Sequence, residues 1–326
     1  MERKFIGKLA DKVLSGKKVT ENEMYRLSQV SDDNLLLLLD SATRIAKKYK
    51  RTILDVCSLL NAKSGLCAED CKYCSQSTKY KTDVPAYPLV SMDKMVLSAM
   101  NAEKMHSGRF CIVTSGGKVN GKELKTICDG YDRIRKKIRI KLDASLGILS
   151  LEELKLLKKH GVSRYNHNLE TAESYYLKIC TTHKFADRVK TIRNCKKAGL
   201  EVCSGGILGM GESWKQRIEL AFTLKELDVD LVPLNFLNPI KGTPLQNVKP
   251  LTPVEILKII VVFRFILPDK DIKICGGRET NLRSLQPLLF YAGANGIIIG
   301  NYLTTTGQDY QKDLQMIKDM GLKLKK

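Results

Sequence analysis

The chain has 326 residues, 43% hydrophobic and 28% charged, which excludes a disordered, collagen-like or disulfide-scaffold protein and leaves enough chain for a large core. The first residues, MERKFIGKLADKVL, lack the apolar stretch of a secretory signal, and the longest mostly apolar run, Leu257 to Leu267, contains Lys258 and Arg264 and is too short to span a bilayer; a cytoplasmic protein with no membrane partner is expected. The formal charge of +20 admits a nucleic-acid surface or a solvated basic one, and the dispersal of Lys and Arg through helical stretches, without aromatic interleaving, favours the second.

Residues 1–50 read as a polar, helical N-terminal extension, with a helix start at Thr20 to Glu23 and helical spacing of apolar residues from Asn34 to Lys48. From 51 to 326, short β-type runs alternate with amphipathic segments. Strands are expected at Thr52 to Cys57, Arg109 to Thr114, Ile138 to Ala144, Ser163 to Asn168, Leu200 to Ile207, Leu231 to Phe236, Ile272 to Cys275 and Gly296 to Ile299. The helices between them fall at Met92 to Met105, Lys122 to Lys136, Leu151 to His160, Phe185 to Ala198, Trp214 to Leu227, Pro253 to Ile266 and Asn281 to Ala292. Eight strands so separated predict parallel βαβ units and an α/β fold of the (βα)8 TIM-barrel type, with a doubly wound sheet as the alternative. No linker or repeat divides 51–326, which reads as one catalytic domain.

Ten cysteines in a reduced chain point to metal ligands or catalysis more than to disulfides. The segment GLCAEDCKYCSQS, Gly65 to Ser77, carries Cys67, Cys71 and Cys74 in a C-x3-C-x2-C array. Three thiolates on an irregular loop can converge on one cluster and leave one iron open. A structural zinc site would want a further CxxC or His pair close by, and none follows Cys74.

This array resembles the signature of the radical S-adenosylmethionine superfamily. The resemblance implies that Cys67, Cys71 and Cys74 hold a 4Fe-4S cluster that chelates and cleaves S-adenosylmethionine to a 5'-deoxyadenosyl radical, with Tyr73 near the adenine. The stretches RYNHNLET from Arg164, EVCSGGILGMGES from Glu201, VPLNFLNPIKGTPL from Val232 and GNYLTTTG from Gly300 are together similar to the biotin synthase family. That family inserts sulfur between C6 and C9 of dethiobiotin. The amides of Asn166, Asn168 and Asn235 can donate to and accept from a urea-like ring, and the resemblance assigns them to dethiobiotin. It further assigns Glu170 to the ribose hydroxyls, Arg188 to the carboxylate of S-adenosylmethionine, Ser204, Gly205, Gly206 and Ile207 to the methionyl group, and Thr304 and Thr305 to the substrate tail. His167 reads as a satisfied core histidine.

The resemblance also implies a second, auxiliary iron-sulfur cluster as sulfur donor, for which Cys111, Cys203 and Arg278 match the family's positions. The third cysteine is replaced by Asp143, while Cys275 stands three residues before Arg278. The expected ligands are therefore Cys111, Cys203 and Cys275, with Asp143, Arg278 or an added sulfide at a remaining iron, in a two-iron or four-iron cluster. Cys57, Cys128, Cys180 and Cys195 read as structural. An electron donor such as flavodoxin or ferredoxin, and a homodimer, are what the resemblance implies for partners. The alternatives are a neighbouring radical enzyme of the hydrogenase-maturation or methylornithine synthase type and, more distantly, a basic nucleic-acid-binding metal module.

Overall fold

Short parallel strands with capped helices between them close into a barrel. The computed structural model describes residues 1–50 and 53–324; Thr52, the expected start of the first strand, and residue 51, the expected start of the barrel domain, lie outside them. The strands are β1 Ile53–Lys63, β2 Arg109–Thr114, β3 Lys141–Ser145, β4 Val162–Asn166, β5 Glu201–Cys203, β6 Gly206–Leu208, β7 Leu231–Phe236, β8 Asp271–Ile274, β9 Gly296–Ile298 and β10 Lys323–Leu324. They pair in the order β1-β2-β3-β4-β5-β7-β8-β9, and β9 returns to β1. Because β5 and β6 both pair with β7 in succession, they fill one place, and the barrel has eight. β10 pairs with the start of β1.

Helix starts between the strands are written in the local sequence. Ser91, Asn120, Ser150, Ser213 and Thr252 each accept from the backbone N–H three residues on, satisfying a donor that the first turn leaves free. The N-terminal helices Glu2–Leu14, Glu21–Ser28 and Leu35–Lys50 bury Ile6, Leu9, Met24, Leu27, Leu38 and Ile45 in the same core as the barrel. The first packs on the third, and the second and third pack on the helix Pro253–Ile266, which is buried along nearly its whole length. Arg264 in that helix is fully buried, and its guanidinium donates to the carbonyls of Gly293, Leu267, Pro268 and Lys270 and to Asn295 Oδ1. Among the described residues no helix is long and apolar enough to cross a membrane.

The third strand starts three residues later than expected, at Lys141, the helix Tyr310–Asp319 is additional to the expected elements, and three elements depart further. β1 runs six residues beyond Cys57, since its ladder with β2 continues through Leu59↔Cys111 to Lys63 and overrides the weak strand preference of the local residues. The expected strand Leu200 to Ile207 is broken at Ser204 and Gly205, where the Gly205 carbonyl accepts from both Leu169 and Glu170 and its N–H donates to Asn168 Oδ1. A Cβ at Gly205 would lie 1.9 Å from the Pro233 carbonyl oxygen, so this close approach requires glycine. The expected helix Asn281 to Ala292 is divided into Arg278–Leu282, a 3-10 turn and Leu288–Tyr291, with Arg283 in the left-handed region at φ 52° and Pro287 unable to continue the hydrogen-bond ladder.

Strand alternation points Asp55, Cys57, Leu59 and Asn61 of β1 toward the barrel axis. The lowest inward layer is charged. Arg109 holds Asp143 through Nη2 at 2.6 Å and Nε at 3.0 Å, Arg164 reaches Asp55 at 3.1 Å and Glu201 at 2.9 Å, and Lys273 lies 3.5 Å from Asp55. Apart from Glu201, whose side chain is half exposed, these groups satisfy one another away from water and form the floor beneath the site.

Candidate active site

Cys67, Cys71 and Cys74 lie on the irregular segment that follows β1, at the end of the barrel where the strands finish. The segment is braced by Cys67 N–H to the Gln76 carbonyl (3.0 Å), Thr78 N–H to the Cys67 carbonyl (2.8 Å), Lys72 N–H to the Ile179 carbonyl (3.0 Å) and Gly65 N–H to Gln76 Oε1 (3.2 Å). All three cysteines line one cavity of about 300 Å³ with Tyr73, Asn166, Asn168, Glu170, Arg188, Ile207 and Asn235. Cys71 Sγ stands 3.7 Å from Cys180 Sγ, and Cys180 in turn faces His183 Nδ1 at 3.4 Å, which is held by Glu69 at 2.7 Å. The Cys180 thiol is pushed down to about 4, first by its hydrogen bond with Cys71 and then, against burial, by His183 and Thr182. Cys180, expected to be structural, is therefore in contact with a proposed cluster ligand.

The polar residues around this cavity differ in how much capacity they keep. Asn235 Oδ1 accepts from Gly276 N–H (2.9 Å) and its Nδ2 donates to the Gly206 carbonyl (3.2 Å), which stitches β6, β7 and the end of β8 together. Asn168 Oδ1 is engaged by Gly205. Asn166 donates through Nδ2 to Cys111 Sγ at 3.3 Å, while its Oδ1 is buried without a partner. Glu170 sits in the left-handed region at φ 72° and faces Arg188 at 3.4 Å; burial raises its carboxyl above the ordinary range against the opposing pull of Arg188. The buried Arg188 also donates to Tyr176 OH (2.7 Å) and the Asn168 carbonyl (2.9 Å). His167 lines the cavity with Nε2 unpartnered, so it is not a satisfied core residue, and burial together with Arg188 and His183 holds it neutral. Ser204 is fully buried beneath the bend, whereas Thr304 and Thr305 are half-buried on the loop beyond β9 and outside the cavity lining, to which that loop contributes Leu303.

Below lies a smaller cavity of about 130 Å³ inside the barrel. Cys111, Cys203 and Cys275 line it, from β2, β5 and the end of β8, together with Cys57 of β1. Burial pushes all four thiols above their ordinary value, Cys203 to about 12. Asp143 borders this cavity with both oxygens taken by Arg109. Arg278 does not: its guanidinium turns to Asp313 (2.8 Å), Glu279 (2.9 Å) and Gln286 (2.6 Å). Cys57, expected to be structural, faces the cavity, and strand alternation was the signal for it: two residues from Asp55 and two from Leu59, it shares their inward side. Cys128 and Cys195 are buried on the helices Gly121–Lys137 and Phe185–Lys197, away from both cavities.

The donor chemistry fits iron-sulfur clusters in both places. A single tetrahedral ion needs sulfurs about 3.8 Å apart for metal–sulfur bonds near 2.3 Å. Among the described residues the one group of ligand atoms within 4.8 Å of one another is Cys71, Cys180 and His183, so neither cysteine set is drawn tight enough for one ion. Soft thiolates spread around a cavity suit a polynuclear core.

A parallel barrel with a three-cysteine loop at its open end defines a radical S-adenosylmethionine enzyme, and the model of the radical SAM superfamily matches residues 63–224. The biotin and thiamin synthesis associated domain matches residues 233–323. The biotin synthase of Citrifermentans bemidjiense is 50% identical over 98% of both chains, and that of Geotalea uraniireducens 50% over 96% of both. This chain belongs to the biotin synthase family. In fold it is similar to methylornithine synthase (TM-score 0.84, 19% identity, 98% of this chain and 97% of that one) and to the FeFe-hydrogenase maturase of Carboxydothermus hydrogenoformans (0.81, 17%, 98% and 79%).

Proposed function

We propose that this chain makes biotin from dethiobiotin between its two thiol-lined cavities, with Cys67, Cys71 and Cys74 holding the upper 4Fe-4S cluster and Cys111, Cys203 and Cys275 contributing to the lower, sulfur-donating one. The observation that carries this reading is that the two cavities share walls: Val113, Ser145, Asn166, Asn168, Asn235 and Leu303 border both. A substrate held there lies between the hydrogen-abstracting site and the sulfur source. When bound, the upper cluster with S-adenosylmethionine supplies radical hydrogen abstraction, and the lower cluster supplies sulfur.

The chain's own share is placement and exclusion of water. Asn166 Oδ1 is the buried acceptor free to take an N–H of the urea-like ring, while Asn168 and Asn235 fix the rim by holding the glycine bends at 205 and 276. Arg188 and Glu170 offer opposite charges to the carboxylate and ribose of S-adenosylmethionine, beside Tyr73 and the backbone from Ser204 to Ile207. Thr304 and Thr305 reach the substrate tail only from the mouth. Residues 51–326 carry the chemistry and 1–50 brace the barrel from outside. A flavodoxin or ferredoxin donor and a homodimer complete the reading on the family resemblance alone. The family match over nearly the whole chain favours this activity over those of the structural neighbours, whose likeness is one of fold.

Anaerobic reconstitution followed by iron, sulfide and product analysis with reductant, S-adenosylmethionine and dethiobiotin tests the reading. Biotin with 5'-deoxyadenosine, and iron in excess of one four-iron cluster, is the expected result. Deoxyadenosine without biotin would retain the radical chemistry and discard the substrate.

A further inference from the structure

We propose that Cys57 is the fourth thiolate of the lower cluster, joining Cys111, Cys203 and Cys275 and leaving Asp143 and Arg278 outside the ligand set; this rests on the reading that the lower cavity holds a cluster. Strand register supports it first. Ile297 of β9 pairs with Val56 on one side and Ile274 on the other, so Ile298 pairs with Cys57 and the next residue of the β8 segment, Cys275, stands at the same level. Cys57, Ile298 and Cys275 therefore face the axis side by side, and all three line the lower cavity. The two cysteines are separated by two strand spacings of roughly 4.8 Å along a wall that curves inward, which brings their sulfurs closer than their backbones. Cys111 enters from β2 on the other side of β1, two residues above at Leu59, and Cys203 faces them from β5.

Accessibility gives a second, independent indication. Cys111, Cys203 and Cys275 are 3%, 6% and 2% exposed, whereas Cys57 is only partly buried, although its neighbours Val56 and Ser58 are at 2% and 4%. Cys57 is also one of the residues that line the lower cavity.

The competing ligands are already committed. Both carboxylate oxygens of Asp143 accept from Arg109, so using Asp143 on iron would draw away the one buried carboxylate that this guanidinium holds and leave it Ser163 and the more distant Glu201. Arg278 belongs to the ion pair with Asp313 and does not border the cavity. Four thiolates give either a two-iron or a four-iron core one sulfur for each terminal position, with no recourse to an oxygen or guanidinium ligand. The buried cations Arg109, Arg164 and Lys273 beneath them face the negative charge that such a set carries.

The test uses the full chain with Cys67, Cys71 and Cys74 all changed to Ala, so that only the lower site can hold iron. After anaerobic reconstitution, iron, sulfide, the Mössbauer spectrum and visible absorption are measured with and without Cys57→Ala or Cys57→Ser. Adding Cys57→Ala is expected to lower iron to less than half of the parent's, and Cys57→Ser to keep iron while moving the sulfur-to-iron charge-transfer band to shorter wavelength. Cys195→Ala, buried elsewhere, should change neither. Iron, sulfide and spectra unchanged in both Cys57 variants, in a parent that binds iron, would overturn the assignment alone. A parent without iron would overturn the lower-cluster reading and the assignment with it.

Discussion

The two cysteine sets are built on opposite principles. Cys67, Cys71 and Cys74 come from one contiguous loop, held by its own backbone hydrogen bonds and those of Gln76 and Ile179, whereas Cys57, Cys111, Cys203 and Cys275 come from separate strands of one closed sheet. A loop can close around a cluster while leaving one face open to a ligand that must enter and leave. Strands fix their side chains in register, so the lower cavity has a set size and a set distance from the substrate wall, and the charged layer beneath it cannot shift without breaking buried pairs. On the function proposed above, the difference would separate a site that exchanges S-adenosylmethionine from one that holds sulfur at a fixed place.

Cys71→Ala is the largest perturbation. It should remove upper-cluster iron and reduce 5'-deoxyadenosine formation to background while lower-cluster iron survives; concerted loss of both would show that the two sites are not independent. Asp143→Asn comes next and acts on the strand-built region. It keeps the side chain's shape but strips the charge that Arg109 faces, with only Glu201 at 3.6 Å in reserve. Breaking a buried pair of this kind costs about 3–5 kcal/mol. Denaturant unfolding should show that loss, and metal analysis should find lower-cluster iron retained. Loss of that iron at undiminished stability would return Asp143 to the ligand set.

The upper site was legible because its evidence is local: three cysteines at fixed spacing need no fold to be noticed. The barrel was legible for a related reason, since Arg109 to Thr114 and Leu231 to Phe236 carry strand-forming runs that match β2 and β7 residue for residue. The lower site was half legible. Cys111 and Cys203 stood in recognisable motifs, but placing Cys57 beside Cys275 needs the closure of β9 on β1, a contact between segments more than two hundred residues apart. The ion pair that turns Arg278 away from the lower cavity could not be foreseen, because its partner, Asp313, comes from a helix whose packing the local sequence does not announce. The interruption at Gly205 depended likewise on Pro233 and Asn168, both distant in sequence.

Asn166 touches both regions, and its replacement by Ala should weaken substrate binding more than it disturbs either cluster. Loss of one hydrogen bond worth about 1–1.5 kcal/mol corresponds to roughly a tenfold rise in the KM for dethiobiotin. Unchanged KM with altered lower-cluster spectra would mean that its bond to Cys111 Sγ, and not its free oxygen, is what matters.

The smallest effect should come from the base of the barrel, where Asp271 begins β8 and neither cavity reaches. Burial alone would raise its carboxyl, but Lys50 at 2.9 Å and Asn295 Nδ2 at 2.6 Å bring it below the usual carboxylate range. A depressed folded value means that the stabilisation is complete above the unfolded value near 3.9 and is lost as pH falls through the folded one. Asp271→Asn should therefore cost about 1 kcal/mol near neutral pH, as expected for one partly exposed pair, with iron content and activity unchanged. Thermal unfolding followed down to acid should show the wild-type and variant curves converging below about pH 4. A gap that persists at acid pH would trace the effect to packing around Asn295 instead of charge, and altered iron content would mean that the charged floor and the cluster above it are coupled across the whole height of the barrel.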